Sequence, residues 1–207
     1  MTFLEQLKHI KSILENPDQE SLNMSLSDTH HPNIFSLVIK GNKPGELTRV
    51  FIASKKLKPF EVQLHSHRYP IKLTVIKGNV KHFIAEEALS YDKNSIQLSQ
   101  FEYKSPLNGG AGLKYINDFN FNIKEYPIPI GSIIKMNQND IHTMSCSKGS
   151  VWIVEEQGFK TDSSIVLGVP FITEGLYNTP KQFQINDNYQ LLKKEVNNLT
   201  NNYEKVI

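Results

Sequence analysis

Cysteine occurs once in 207 residues, at Cys146, so no intrachain disulfide framework exists and stability has to come from a packed core. Arginine occurs only at Arg49 and Arg68; the rest of the Lys+Arg total of 23 is lysine, which reads as coding bias rather than function. Charge of neither sign dominates. The formal net charge is +2, which gives no compositional argument for a nucleic-acid partner or an anionic membrane. No stretch approaches the roughly 18 consecutive apolar residues of a membrane span. The first residues, "MTFLEQLKHIKSILENP", lack the uninterrupted apolar core of a secretory signal. The expectation is a cytoplasmic protein with neither nucleic acid nor membrane among its partners. Glycine-rich phosphate loops, internal repeats and a Ser-His-Asp spacing are missing as well.

What is present begins with a helix. Phe3, Leu4, Leu7, Ile10, Ile13 and Leu14 recur at helical spacing. Thr2 with Glu5 reads as a capping box and Pro17 as the stop, which gives a helix over residues 1–16. From residue 34 to 172, short β-branched and aromatic runs such as "IFSLVIK", "LTRVFIAS", "FEVQLHSH", "KLTVIKG" and "SVWIVEEQ" alternate with turn residues. Many short strands with regular turns predict an all-β sandwich or barrel. Residues 91–126 are less regular and read as an insertion that covers a barrel mouth or forms a surface loop with a spare hairpin. A second amphipathic helix is expected over 186–204, with Tyr189, Leu192, Val196, Leu199 and Tyr203 as its apolar stripe. The whole of 1–207 reads as one domain.

The stretch "HSHRYPIKLTVIKG", residues 65–78, carries the chemistry. On a strand, residues i and i+2 share a face, so His65 and His67 point the same way. Two inward imidazoles are either a buried polar pair or half of a metal site. A third histidine follows in "GSIIKMNQNDIH", where Gly131 opens a strand, a polar turn intervenes and His142 begins the next strand. The remaining His9, His30, His31 and His82 read as structural or exposed.

These two stretches together resemble the motifs of the cupin superfamily. "HSHRYPIKLTVIKG" matches the family's HxH pair and its glycine, and "GSIIKMNQNDIH" matches the glycine, the length and the histidine of its second motif. The resemblance covers about residues 45–160 and implies a double-stranded β-helix, the cupin jelly-roll barrel, with a helix at each end. It also implies that His65, His67 and His142 converge on a divalent metal ion. Fe(II) is the first expectation, with Zn, Mn or Ni as alternatives. Two departures stand out. The family's acid falls at Ile71 or Lys72, neither of which replaces it, and the turn reads "NQND" where the family has P-x-G. The missing acid leaves a three-histidine site with the full charge of the ion, suited to an anionic or chelating small-molecule substrate. Three-histidine cupins of this pattern include thiol dioxygenases, although that group's substrate-binding arginine and crosslinked cysteine-tyrosine pair have no counterparts here.

Near the site, Gln63 and Glu61 share the inward parity of His65 if no bulge intervenes. Gln63 orients a substrate or bound water, or is a satisfied core amide. Tyr69 is a candidate acid or a packing residue at the mouth. Met144 and Cys146 continue the parity of His142 as apolar lining, one of Glu155 and Glu156 points inward as a replacement acid, and Arg49 binds a substrate carboxylate or stays exposed. The resulting functional expectation is an Fe(II)-dependent dioxygenase. The alternatives are a Zn- or Mn-dependent isomerase or lyase, and a non-catalytic ligand-binding or sensing cupin. The resemblance also implies pairing into a homodimer.

Overall fold

Both parities of "IFSLVIK" are apolar, and in the computed structural model of the chain six of the seven residues of strand β1 (Ile34–Lys40) are buried. A strand hidden on both faces needs a layer on each side, and the chain supplies both. The structure describes residues 3–88, 92–106, 109–169 and 181–204. Strand β1 pairs with β2 (Thr48–Ala53), which is followed across the sheet by β10 (Val151–Glu156), β4 (Ile71–Lys77) and β8 (Ile133–Met136). A second, six-stranded sheet closes on itself in the order β11 (Ser164–Gly168), β3 (Leu64–His65), β9 (Ile141–Cys146), β5 (Val80–Glu87), β7 (Gly112–Ile128) and β6 (Ile96–Lys104). The protein is thus mostly β, two sheets face to face with a helix near each end of the chain, as the strand pattern and the resemblance predict.

The space between the sheets is the first core. Ile34, Phe51, Leu73, Val75 and Trp152 from the five-stranded sheet meet Val80, Ile128, Met144 and Cys146 from the closed one. Met144 and Cys146 therefore do line the interior. The outer face of the five-stranded sheet is the second core. It receives Leu7, Ile10 and Leu14 of helix α1 (Phe3–Glu15) and Tyr189, Leu192 and Val196 of helix α3 (Asp187–Glu204) over Phe35, Leu37, Val50, Ile52 and Ile153. Both apolar stripes read from the sequence are covered within the chain except at Tyr203, which stays exposed. Helix α1 stops at Glu15, ahead of Pro17; Thr2, the expected cap, lies outside the described residues. A short helix α2 (Gln19–Asn23) follows, capped by Asp18 through the Ser21 N–H at 2.7 Å.

Three sequence expectations meet a different structure. Residues 96–104 and 112–128 form the paired strands β6 and β7, full members of the closed sheet rather than a covering insertion; Tyr91 lies outside the described residues, as do 170–172 at the expected barrel end. The polar run "YINDFNFNIKEY" misled because Phe121 is its single buried residue and Ile116 and Tyr126 are exposed, so no apolar alternation marks it as strand. The stretch "FEVQLHSH" is mostly not strand. Phe60 takes a left-handed φ of 66°, Glu61 closes a turn onto the Lys58 N–H at 2.9 Å, and pairing begins only at Leu64. The turn leaves Glu61 and Gln63 exposed instead of inward. Gly78, by contrast, is required as expected: its φ is 99° and a Cβ there would lie 2.0 Å from Ser150 Oγ.

Candidate metal centre

His65 on β3 stands directly opposite His142 on β9, and cross-strand partners share a face. Along β9, His142 alternates with Met144 and Cys146, which lie in the inter-sheet core, so both imidazoles look into that space. Ser66, between the two motif histidines, is turned the other way and buried. Its N–H donates to the Ile165 carbonyl at 2.8 Å and its hydroxyl accepts from the Ile165 N–H at 2.8 Å. That double lock to β11 carries the chain on to His67 although formal strand has ended. Thr143 does the same beside His142, its hydroxyl donating to the Val62 carbonyl at 2.7 Å. The ring nitrogens of His65, His67 and His142 that could hold a metal all lie within 4.8 Å of one another, the convergence that the resemblance implies.

The proton positions of His65 and His142 fit a metal. A carbonyl only accepts, so the 2.8 Å contact between His65 Nδ1 and the Gln63 carbonyl places a proton on Nδ1 and leaves Nε2 as a lone pair. His142 Nδ1 lies 2.9 Å from His82 Nε2; with His142 donating, its Nε2 lone pair also faces the site. His67 Nε2 is 2.8 Å from His142 Nε2, a hydrogen bond in which His67 donates when His142 holds its proton on Nδ1, and that proton has to leave when a metal binds. Nitrogens sharing one ion at about 2.1 Å each stand roughly 3.0–3.4 Å apart, so this pair has only to part slightly. Burial holds His142 and His67 well below the ordinary imidazole range, with neighbouring histidines adding to the effect. Burial lowers His65 as well. Neutral imidazoles are the form that ligates. Among the described residues no Asp, Glu or Cys joins the three. Ile71 is buried in the core and Lys72 pairs with Glu155 at 2.7 Å, so neither side chain enters the cluster.

Two further histidines belong to this neighbourhood: His82, whose contact with His142 goes beyond the structural or exposed role read from the sequence, and His30, which is exposed as that reading allows. His82, buried on β5, reaches His142 diagonally because Ile84 pairs with His142. Burial depresses it to about 4, with Asp140 opposing the shift. His30 stacks on His65 with ring centroids 4.6 Å apart. No sequence signal short of the β5–β9 register would have singled out His82. His9, in contrast, is structural, its Nε2 lying 3.2 Å from the Ile39 carbonyl.

Tyr69 stacks beside His67, centroids 6.1 Å apart, and its phenol is hydrogen-bonded to Glu156. Burial and the Glu156 carboxylate raise its pKa, and both arginines act against that rise. Glu156 is thus the inward-pointing acid of β10, but it is committed elsewhere. Its carboxylate accepts from Arg49 Nε at 3.0 Å and from the Gly45 N–H at 2.7 Å. Arg49 donates further to the Met24 carbonyl at 2.9 Å and to Ser36 Oγ at 3.3 Å. The side chains are only 14% and 3% exposed, so removing one partner strands a buried charge. Arg49→Met should lower stability by about 3 kcal/mol, and adding Glu156→Gln should recover a substantial part. A double variant no more stable than Arg49→Met in urea unfolding would show that the pair is not the source of the loss.

No protein-family model matches the chain, and no curated protein matches it. Among solved structures, hydroxypropylphosphonic acid epoxidase from S. wedmorenis is similar at 13% identity, over 70% of this chain and 56% of that one, with a TM-score of 0.39. A structure of Fe(II) HppE gives 14% identity, 72% and 58% coverage and a TM-score of 0.40. Drosophila melanogaster CENP-C bound to CAL1 gives 11%, 73% and 94%, with a TM-score of 0.38. This chain spans little more than half the length of the epoxidase. Likeness at this level carries no functional argument, and the functional reading rests on the site itself.

Proposed function

We propose that the chain is an Fe(II)-dependent enzyme of the dioxygenase type acting on a small polar or anionic molecule. The observation that carries this reading is the convergence of three neutral imidazoles, within 4.8 Å, in the space between the sheets. An iron ion held by His65, His67 and His142 would supply Lewis acidity and one-electron chemistry towards oxygen. The chain supplies the rest. His82 orients His142 from behind, and the Gln63 backbone carbonyl, not the exposed amide, orients His65. Tyr69 serves as a protonated wall beside His67, its proton engaged by Glu156.

Charge supports an anionic substrate. No carboxylate joins the histidines, so the charge of the ion is not offset by the cluster. The chain's only two arginines both act on Tyr69. Arg49 is neutralised by Glu156, whereas Arg68 lies over the Phe159 ring at 4.7 Å and has no carboxylate partner among the described residues. A guanidinium presented in this way suits a carboxylate or another oxyanion.

The test is anaerobic loading with Fe(II), followed by oxygen-electrode measurements against a panel of small acids and their neutral amides. Oxygen uptake that requires both iron and an acid is expected. Turnover of such acids without oxygen uptake in the Zn- or Mn-loaded protein would replace this reading with the isomerase or lyase. Failure to take up any metal would leave a ligand-binding module.

A further inference from the structure

We propose that His30 is a positioning residue of the metal centre, held in a costly backbone conformation so that its imidazole walls the face of His65. The inference rests on the three-histidine metal reading and adds a residue that no spacing argument reaches.

His30 has a φ of 61°, in the left-handed region that few non-glycine residues occupy. The adjacent Thr29 is buried, and its hydroxyl has no hydrogen-bond partner among the described residues. Two neighbouring residues therefore each carry a local cost, and such costs persist where the surroundings over-determine them. The surroundings do so here. The Thr29 N–H donates to the Ile34 carbonyl at 3.0 Å, and the Asn33 N–H donates to His31 Nδ1 at 3.1 Å. On the upstream side, the Ser27 N–H donates to the Lys181 carbonyl at 2.9 Å, and Ser27 Oγ accepts from the Gln184 N–H at 2.9 Å. The turn is pinned at both ends, and what it delivers is one ring.

That ring lies nearly parallel to His65, with an interplanar angle of 25° and centroids 4.6 Å apart. His65 needs such a wall. It sits on a strand of two residues and is only half-buried. The Gln63 carbonyl fixes which nitrogen is protonated but constrains a single edge of the ring. His67 meets it edge-on at 74°, and His142 is tilted at 43°. Only His30 covers a face squarely among these, so it sets the tilt at which the Nε2 lone pair points into the cluster.

The experiment measures Co(II) affinity, by visible absorption with a competing chelator, and melting temperature in the full chain and three variants. His30→Gly relaxes the backbone and removes the ring. Its melting temperature should stay level or rise while Co(II) affinity falls about tenfold, the size expected for loss of an outer support. His30→Ala should lose affinity similarly. His30→Phe restores a flat face without a nitrogen and should bind within about twofold of wild type. Wild-type affinity in His30→Ala would overturn the role. So would a His30→Phe variant as weak as His30→Ala, since the nitrogen rather than the ring face would then matter. No Co(II) uptake by the wild type would overturn the metal reading and this role with it. Uptake by the wild type, matched by His30→Ala, would overturn the role alone.

Discussion

Deleting residues 185–207 is expected to unfold most of the population at room temperature or to lower the melting temperature drastically. Helix α3 contributes Tyr189, Leu192 and Val196 to the outer core, all nearly or fully buried, and Tyr189 Oη donates to the Leu14 carbonyl at 2.7 Å, closing the end of α1. Glu195 pairs with Lys77 of β4, and Phe3 packs on Tyr203 with centroids 4.9 Å apart. Burying a Leu- or Val-sized side chain stabilises by about 1.5–3 kcal/mol, and a domain retains only about 5–15 kcal/mol in total. Removing the helix also exposes the apolar faces of α1 and of the five-stranded sheet. Because such a truncation could be too unstable to purify, Leu192→Ala in the full chain is the companion test. It should cost about 2–5 kcal/mol and shift melting by roughly 5–15 °C. Metal uptake should survive this change, because Leu192 lies on the outer face of the five-stranded sheet and the histidines lie beyond its inner face. An unshifted melting curve for Leu192→Ala would mean that the stripe does not hold the helix to the sheet.

The helices and the histidine pair were legible because they are local patterns. A stripe at 3.6-residue spacing or two residues at i, i+2 states its geometry without knowledge of what lies opposite. His142 could be added because its turn and strand lengths resemble a known arrangement. Gln63 and Glu61 failed for a physical reason: parity along a strand holds only while the strand is continuous, and the left-handed Phe60 and the turn closed by Glu61 break it. His82 and His30 were out of reach for another. The contact of His82 depends on the register that sets Ile84 against His142, and that of His30 on a turn fastened by residues more than 150 positions downstream. Glu156 illustrates the same limit. That one of Glu155 and Glu156 faces inward follows from alternation along β10, but which of them does, and the commitment of Glu156 to Arg49 and to the Gly45 N–H, depend on β2 lying alongside and on the loop before it.

The double variant His65→Ala/His142→Ala is expected to abolish metal binding. In the wild type, three imidazoles are presented to one space by three separate constraints: the Gln63 carbonyl behind His65, His82 behind His142, and the Ser66 lock that carries the chain to His67. Stoichiometry should approach one divalent ion per chain. Removing two of three ligands leaves His67 as a lone imidazole beside Tyr69, which cannot retain an ion against a chelator. The loss should exceed the roughly 10–100-fold that removal of an outer partner costs, and that smaller figure is the expectation for His82→Ala, which spares all three ligands. His142 is buried, so its truncation also leaves a void and some loss of stability. The melting curve of the apo protein must therefore be recorded to show that the double variant is folded. His9→Ala provides the control, since it removes a histidine that contacts Ile39 on the outer side of the fold and should leave stoichiometry unchanged. Metal analysis after anaerobic purification and dialysis decides the matter. A folded double variant that retains the wild-type metal content would show that the ion sits elsewhere and that the three histidines converge for packing alone.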